Sequence, residues 1–300
     1  MAERFLVTGA LGCIGAWTCV TLVREGVPVV AFDLGSDHSR LELIASPEEL
    51  AGIAFERGDV TSLEALEQCF ERHEITNVVH LAALQVPFCK ADPPLGARVN
   101  VLGTATVFEA AKRAGLQTTI AFASSAAVYD QRGELAPSTH YGVYKLANEG
   151  TARVYWQEDG IASLGLRPFC VYGPGRDQGL TSSPTLAMAA AARGERYRIA
   201  FGGRTQLHYA PDVARAFLAA TRRPPAGAEV LNLGGPDVAM GDVVAMIEAA
   251  APAVVGLIEL DDVPLPFPAR LPEPTFELEL TPLADGICET IELLHSRNGA

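Results

Sequence analysis

The chain has 300 residues, 49% of them hydrophobic, and a formal net charge of −13, which leaves room for one large domain or two packed ones with a substantial core. The acidic balance and the lack of any basic run argue against a nucleic-acid or anionic-membrane partner. Apolar stretches such as Leu186 to Ala192 are far short of the about 20 residues that cross a bilayer.

The first strand is expected so close to Met1 that no signal peptide fits before it, and a cytoplasmic location is expected. Six cysteines (13, 19, 69, 89, 170 and 288) are scattered without a Cys-x-x-Cys pair, and the six histidines show no ligand spacing. Free thiols in a reducing compartment, and no metal, are the expectation.

Residues 5–7 read as a short buried strand. The turn Thr8-Gly9-Ala10-Leu11-Gly12-Cys13-Ile14-Gly15 follows, and then a helical run from Ala16 to Arg24. A strand turning sharply into a helix aims several backbone N–H groups, and the positive end of the helix dipole, at one place. Gly9 suits the tight turn, Gly12 a close approach of the backbone to a pyrophosphate, and Gly15 close packing of helix on strand. A turn with no ligand would use similar glycines. The second strand ends at Asp33, 18 residues after Gly15. An acid about 20 residues beyond the glycines can accept from a ribose diol and would repel a 2′-phosphate. The alternative is a plain strand-end turn residue.

Strand and helix patterns then alternate. Residues 53–56 read as a strand ending at Gly58-Asp59-Val60, 62–72 as a helix capped by Ser62, and 77–81 as a strand running into Leu81-Ala82-Ala83. Residues 94–114 read as one long helix and 118–122 as a fifth strand ending at Ala123-Ser124-Ser125. Continuous apolar strands between helices imply a parallel sheet covered on both faces, with its ligand outside the carboxyl ends of the strands. Tyr141 and Lys145 are four apart and share a helix face. A nearby ammonium lowers a phenol's pKa and equips it for general acid–base work. The alternative is a surface pair at helical spacing.

Together these pieces resemble the extended short-chain dehydrogenase/reductases, the NAD-dependent epimerase/dehydratase family. The matching segments are Thr8 to Gly15, Asp59-Val60, His80-Leu81-Ala82-Ala83, Asn100-Val101-Leu102-Gly103-Thr104, Ser124-Ser125-Ala126-Ala127-Val128-Tyr129, Tyr141 with Lys145, and Arg167-Pro168 followed by Val171-Tyr172-Gly173-Pro174-Gly175-Arg176. They stand in family order over about the first 180 residues. The resemblance implies NAD as cofactor and a Rossmann-type doubly wound α/β fold. Residues 1–170 would form the NAD-binding domain, with about 205–235 returning to it, and 171–300 a smaller substrate-binding domain. It makes Tyr141 the acid/base, Lys145 the holder of the nicotinamide ribose, and Ser125 the partner of the reacting oxygen. It places Gly9, Leu11, Gly12, Cys13, Ile14, Gly15, Asp33, Asp59, Val60, Leu81, Ala82, Ala83, Asn100, Pro168 and Val171 around the cofactor. It also implies a homodimer through a four-helix bundle of the helices near 94–114 and 141–158.

The second half is less regular. Residues 180–193 read as an alanine-rich helix, 204–209 as a strand, 230–233 as another, 240–250 as a helix and 254–260 as a strand. Residues 261–274, with five prolines, read as an extended loop before a last helix capped by Thr281-Pro282 and running to about His295.

Departures from the family pattern bear on the reaction. Acidic residues follow the catalytic serine in the family's dehydratases, whereas this chain has Ala126 and Ala127. Nucleotide-sugar members carry arginines for the diphosphate. Here Arg204 is one place early, Pro211 replaces an acid, and Pro268-Ala269-Arg270-Leu271-Pro272 stands near the missing arginine-glycine-aspartate piece. Diphosphates are held by well-placed cationic forks. The expectation is therefore an NAD-dependent dehydrogenase of a small sugar, sugar acid or hydroxy acid. Gln85, Ser125, Ala126, Arg176, Ser182 and Thr185 would contact substrate. Arg176 or Arg204 would pair with a substrate carboxylate, or each serves a structural ion pair. A nucleotide-sugar 4-epimerase and a non-catalytic NAD-binding module are the alternatives.

Overall fold

The structure is a computed structural model that describes residues 2–298. In chain order the first half runs β1 (Phe5–Thr8), α1 (Cys13–Arg24), β2 (Val29–Asp33), α2 (Ser39–Ile44), α3 (Pro47–Ala51), β3 (Ile53–Arg57), α4 (Leu63–His73) and β4 (Asn77–His80). It continues with α5 (Val86–Ala91), α6 (Pro93–Ala97), α7 (Gly103–Arg113), β5 (Ile120–Ala123), α8 (His140–Asp159), β6 (Ser163–Arg167) and β7 (Cys170–Tyr172). The second half contains α9 (Ser183–Ala192), β8 (Tyr197–Ile199), β9 (Arg204–Tyr209), α10 (Ala210–Thr221), β10 (Ala228–Leu233) and β11 (Asp237–Ala239). It closes with α11 (Met240–Ala250), β12 (Ile258–Leu260), β13 (Thr275–Phe276) and α12 (Leu283–Asn298).

Eight strands form one parallel sheet in the order β13-β10-β6-β5-β4-β1-β2-β3. The alternation of β1 shows why it sits at the centre. Phe5 and Val7 pack with Trp17, Leu22, Val213 and Phe217 on one face. Leu6 packs with Phe32, Phe70, Phe108 and Phe122 on the other. A strand apolar on both faces has to lie between two helical layers. Strand order reverses direction between β1 and β4, and at such a switch point the loops after neighbouring strands diverge and leave a crevice at the carboxyl edge.

A separate core joins Phe169, Tyr172, Met188, Ile199, Phe201, Leu207, Met240 and Ile287 beneath the β11-β9-β7 sheet and the β12-β8 pair. The proline-rich stretch 261–274 crosses from there back toward the parallel sheet. The Leu271 N–H donates to Gln206 Oε1 at 2.8 Å, and Asn232 Nδ2 donates to the Pro272 carbonyl at 2.7 Å.

Two expected elements differ. Residues 94–114 are not one regular helix: a π turn, Arg98–Leu102, separates α6 from α7, and Asn100 lies in it. The extra residue in such a turn re-aims a side chain. The strand expected over 254–260 is only β12, because Pro252–Val254 form a 3-10 turn and Gly256 takes φ +74°. The short strands β7, β8, β11 and β13 escape a periodicity reading because two or three residues carry no period.

Candidate active site

A cleft of about 860 Å³ runs along the carboxyl edge of the parallel sheet. The loops after β1, β2, β3, β4, β5 and β6 all contribute to it. They bring Gly9, Gly12, Cys13, Ile14, Gly15, Asp33, Asp59, Val60, Leu81, Ala82, Ala83, Gln85, Ser125, Ala126, Tyr141, Lys145, Pro168, Val171 and Arg176 to one surface.

At one end is the glycine turn. Gly9 takes φ +69°, and a Cβ there would stand 2.6 Å from the Ala82 nitrogen. A Cβ on Gly15 would stand 2.2 Å from the Gly9 carbonyl oxygen. The two glycines thus seat α1 directly on β1 and β4. No side chain caps α1 at Gly12. Its first intrahelical bond is Ala16 N–H to the Gly12 carbonyl, so the N–H groups of Cys13, Ile14 and Gly15 have no backbone partner among the described residues. Unpartnered donors at a helix N-terminus in a cleft wall suit the pyrophosphate of a dinucleotide. Asp33 Oδ2 accepts from the Leu11 N–H at 3.0 Å and Oδ1 from the Gly35 N–H at 2.9 Å. The carboxylate is thereby held at the cleft wall, where a ribose diol would meet it.

At the other end, Ser125 begins a single 3-10 turn, Ala126–Val128, and its Oγ accepts from the Ala127 N–H at 3.1 Å. Thr139 caps α8 by accepting from the Gly142 N–H at 3.0 Å. A Cβ at Gly142 would lie 2.1 Å from the Ala127 carbonyl oxygen. This glycine, which the sequence reading passed over, lets the first turn of α8 come against the serine turn and brings Tyr141 to Ser125.

Lys145 Nζ lies 5.5 Å from the Tyr141 ring centroid and donates to the Ala123 carbonyl at 2.7 Å. Burial pushes its pKa down to about 8. Lys145 does not by itself set the direction of the Tyr141 shift. Burial dominates and moves the phenol's pKa upward, while the Ser125 side chain and the Arg176 charge oppose it. The physical reason is desolvation of the phenolate in a largely enclosed position.

Four expected contacts do not line the cleft. Leu11 has a buried side chain and reaches the site through its backbone, the N–H on Asp33 and the carbonyl on Arg40. Asn100 clamps the loop after β4: Oδ1 accepts from the Leu84 N–H at 2.7 Å and Nδ2 donates to the Leu84 carbonyl at 2.9 Å. Ser182 donates to the Gly179 carbonyl at 2.7 Å, and Thr185 accepts from the Gly173 N–H at 3.1 Å. These hydroxyls brace the 173–182 segment from behind because both side chains are buried.

Other groups went unread. His80 is buried between Thr8 Oγ1 at 2.7 Å and Thr104 Oγ1 at 3.0 Å. The Thr104 hydroxyl donates to the Asn100 carbonyl, so it accepts from His80 Nε2–H, and Nδ1 accepts from Thr8. That chain assigns the tautomer. Burial, helped by the nearby Lys145 charge, pushes the His80 pKa down to about 3 and keeps the ring neutral. Leu84, Val86, Pro87, Phe88, Leu180, Pro266 and Phe267 also line the cleft and make its substrate end apolar. Two arginines stand among them: Arg176, whose Nη2 donates to Thr181 Oγ1 at 2.9 Å while its Nε is buried with no partner, and Arg98, which is exposed and forms no ion pair among the described residues. Arg204 lies elsewhere, in an exposed pair with Asp237 at 2.7 Å.

The sequence pattern of the NAD dependent epimerase/dehydratase family matches residues 5–234. The chain belongs to this family. It is 32% identical over 182 residues to UDP-glucuronate 4-epimerase 2 of Arabidopsis thaliana, a match covering 56% of this chain and 42% of that protein. The chain thus spans less than half the length of such plant relatives. The UDP-glucose 4-epimerase of Thermus thermophilus, solved with NAD, is 26% identical with a TM-score of 0.77, over 99% of this chain and 100% of that one. The L-threonine dehydrogenase of Clostridium difficile has a TM-score of 0.84 at 20% identity, over 99% of this chain and 98% of the other, and shares the fold. Among the described residues, no helix of this family member is long and apolar enough to cross a membrane, and no cluster of His, Cys, Asp and Glu could hold a metal ion.

Proposed function

We propose that this chain is an NAD-dependent oxidoreductase that oxidises a secondary hydroxyl of a small hydroxy acid, sugar or sugar acid. The reading rests on one observation. The end of the cleft that holds Ser125, Tyr141 and Lys145 is largely apolar, and the guanidinium buried in it, that of Arg176, has a nitrogen without a partner, while the exposed Arg98 is the other arginine of the lining that forms no ion pair among the described residues. Arg176, with Arg98 at the exposed rim, suits the carboxylate of a small substrate, whereas a nucleoside diphosphate calls for several well-placed forks. Arg204 and Arg270 are outside the cleft lining.

In this proposal the N-terminus of α1 holds the pyrophosphate, Asp33 the adenosine ribose diol and Lys145 the nicotinamide ribose. Asp59, Val60, Leu81, Ala82, Ala83, Pro168 and Val171 line the dinucleotide's path. When bound, NAD supplies a nicotinamide ring that accepts hydride from the carbinol carbon. Ser125 orients the substrate oxygen and Tyr141 takes its proton, so the C–H and O–H bonds break as the C=O bond forms. Lys145, one helical turn beyond Tyr141, adds positive charge beside the developing phenol–alkoxide pair. Arg176 and Gln85 fix the rest of the substrate. The exposed Val143, Val154 and Trp156 on α8 and Leu102 beside α7 support a homodimer through these helices.

The curated relatives favour a second reading, a nucleotide-sugar 4-epimerase in which the same residues serve removal of hydride and its return to the other face. Incubation of the protein with NAD and a panel of hydroxy acids, sugars, sugar acids and UDP-sugars separates the two. Net NADH with a free hydroxy compound is expected, whereas epimer formation from a UDP-sugar with flat NADH absorbance establishes the second reading. Tyr141→Phe is expected to lower turnover by at least about a hundredfold, and near-normal turnover removes Tyr141 from the mechanism.

A further inference from the structure

We propose that Arg40 is a positioning residue that straps the segment 174–177 over the N-terminus of α1 and sets how fast the dinucleotide leaves. The inference rests on the NAD reading above and goes beyond it, since Arg40 belongs to none of the groups that motif position assigns.

Arg40 stands on α2, just beyond the loop that follows Asp33. Its guanidinium serves two segments distant in sequence. Nη1 donates to the Leu11 carbonyl at 3.0 Å, inside the glycine turn. Nε donates to the Gly175 carbonyl at 3.1 Å, and Nη2 to Asp177 Oδ1 at 2.7 Å. A second tie lies alongside, where Trp17 of α1 donates through Nε1 to the Pro174 carbonyl at 3.0 Å. Gly175 takes φ +86°, a left-handed turn that bends the segment back toward Arg40 and favours glycine. The tied segment therefore lies over the first turn of α1, whose N–H groups at 13–15 suit a pyrophosphate. Arg40, Gly175, Arg176 and Asp177 all line the same cleft as Gly12 and Asp33. A dinucleotide held on those N–H groups would lie beside the segment, and in this proposal its exit requires the segment to lift.

The guanidinium has a protein acceptor at each of its three nitrogens, so its role is to tie, not to bind phosphate. The tie is also one that can open. The Arg40 side chain is 20% exposed and that of Asp177 51%, and an ion pair so placed is screened by salt and modest in strength. A dehydrogenase has to release NADH in every cycle, and opening of such a strap is the kind of step that limits turnover. The residue between Gly175 and Asp177 is Arg176, whose Nε is buried without a partner at the substrate end. An anion bound there holds the same segment down, so substrate occupancy slows cofactor exchange.

The test is NADH release, followed by stopped-flow fluorescence after mixing the NADH complex with excess NAD. Arg40→Met is expected to speed release about tenfold, a change of about 1.4 kcal/mol, and Asp177→Asn, which leaves the two carbonyl bonds of Arg40 in place, by a smaller factor. The double variant is expected to be no faster than Arg40→Met, because Asp177 acts through Arg40. Arg40→Lys restores part of the retention. Higher ionic strength speeds release from the unaltered protein and has little effect on Arg40→Met. Unchanged release in Arg40→Met, or additive effects in the double variant, overturns the strap. If Arg40→Met does not fold, the exposed Asp177→Asn carries the same decision alone. Failure of the unaltered protein to bind NADH overturns the cofactor reading instead, so the two failures are distinct.

Discussion

Arg167, at the end of β6, and Glu149, on α8, form a buried fork-to-fork pair. Nε meets Oε1 at 2.7 Å and Nη2 meets Oε2 at 2.6 Å, with both side chains no more than about a tenth exposed. Burial alone would push the Arg167 pKa down, but the bonds to Glu149 outweigh it and the net shift is upward. Ser124 also donates to Glu149. Arg167 donates to the Tyr129 hydroxyl, to which Asn232 Nδ2 donates at 2.9 Å. Arg167→Met leaves the Glu149 carboxylate buried with a single hydroxyl partner. Breaking a buried pair from one side costs about 3–5 kcal/mol, whereas replacing both members by apolar groups is often nearly neutral. At roughly 2–4 °C per kcal/mol, Arg167→Met should lower Tm by about 6–20 °C. The Glu149→Leu/Arg167→Met double variant should recover most of that loss. Calorimetry on the four proteins of the cycle reads the coupling directly. A single variant melting within about 2 °C of the parent, or a double variant worse than both singles, refutes the argument that an uncompensated buried charge dominates. Turnover should fall in the single variants even well below their Tm. Lys145 lies one turn from Glu149 on α8, and Ser124 is the neighbour of Ser125.

Gly15→Ala should abolish the rise in Tm that NAD produces. Alanine gains about 1 kcal/mol of helix propensity, but its methyl would stand 2.2 Å from the Gly9 carbonyl oxygen, and the turn has to shift; an undiminished NAD-induced shift would sink the turn's assignment. Stability should fall with acid, because burial lowers the pKa of His80 to about 3 and of His208 to about 4. The folded protein keeps both rings neutral while the unfolded chain protonates them below about 6.5. The unfolded state therefore binds more protons between about pH 6.5 and 4, and stability drops there by about 1.4 kcal/mol per pH unit for each ring. Urea unfolding at three pH values checks this; a flat profile contradicts it, and His208→Gln should halve the slope. Oxidation should rise with pH into the alkaline range, since burial raises the Tyr141 pKa. Arg176→Met removes a charge that opposes this shift, so it should move the rise to still higher pH and raise KM for an acidic substrate about tenfold or more. Arg176→Lys should restore the pH position better than the KM, and an unmoved profile in Arg176→Met disproves the electrostatic role.

The cofactor half of the cleft was legible because its signals are local. Gly9, Gly12 and Gly15 lie within one strand-to-helix turn, and Asp33, Asp59, Ala82 and Ser125 each end, or closely follow, an apolar strand. A parallel sheet with helices on both faces then brings those ends to one edge. The pairing of Tyr141 with Lys145 was legible for the same reason, as one turn of one helix. Its electrostatics were not, because desolvation depends on what surrounds the phenol, and that comes from other parts of the chain.

Ser182 and Thr185 show the converse. Their residue types suggested contact with substrate, yet the two hydroxyls brace a backbone segment, whereas Arg204 takes the ion pair that was its other reading, with Asp237 at the surface. A hydroxyl has the same sequence signature whether it faces a ligand or a carbonyl, and only the path of the chain decides. The missed residues Gly142, Glu149 and Arg167 all stood inside or beside the matching motifs. Gly142 matters through a Cβ it lacks, and Glu149 and Arg167 through a partner 18 residues away on another element. The substrate end draws Gln85 with Phe88, Tyr141, Arg176 and Phe267 from four separate segments of the chain. No spacing rule links Phe267 to Phe88. Gln206 and Asn232 place the 261–274 loop against the cleft, so the proposed substrate wall depends on tertiary anchors, whereas the proposed dinucleotide edge depends on strand ends. Substrate identity is for that reason the property least accessible from the chain read in order, and the arginines of that wall, Arg176 with its unpartnered Nε and the exposed Arg98, are the features that narrow it.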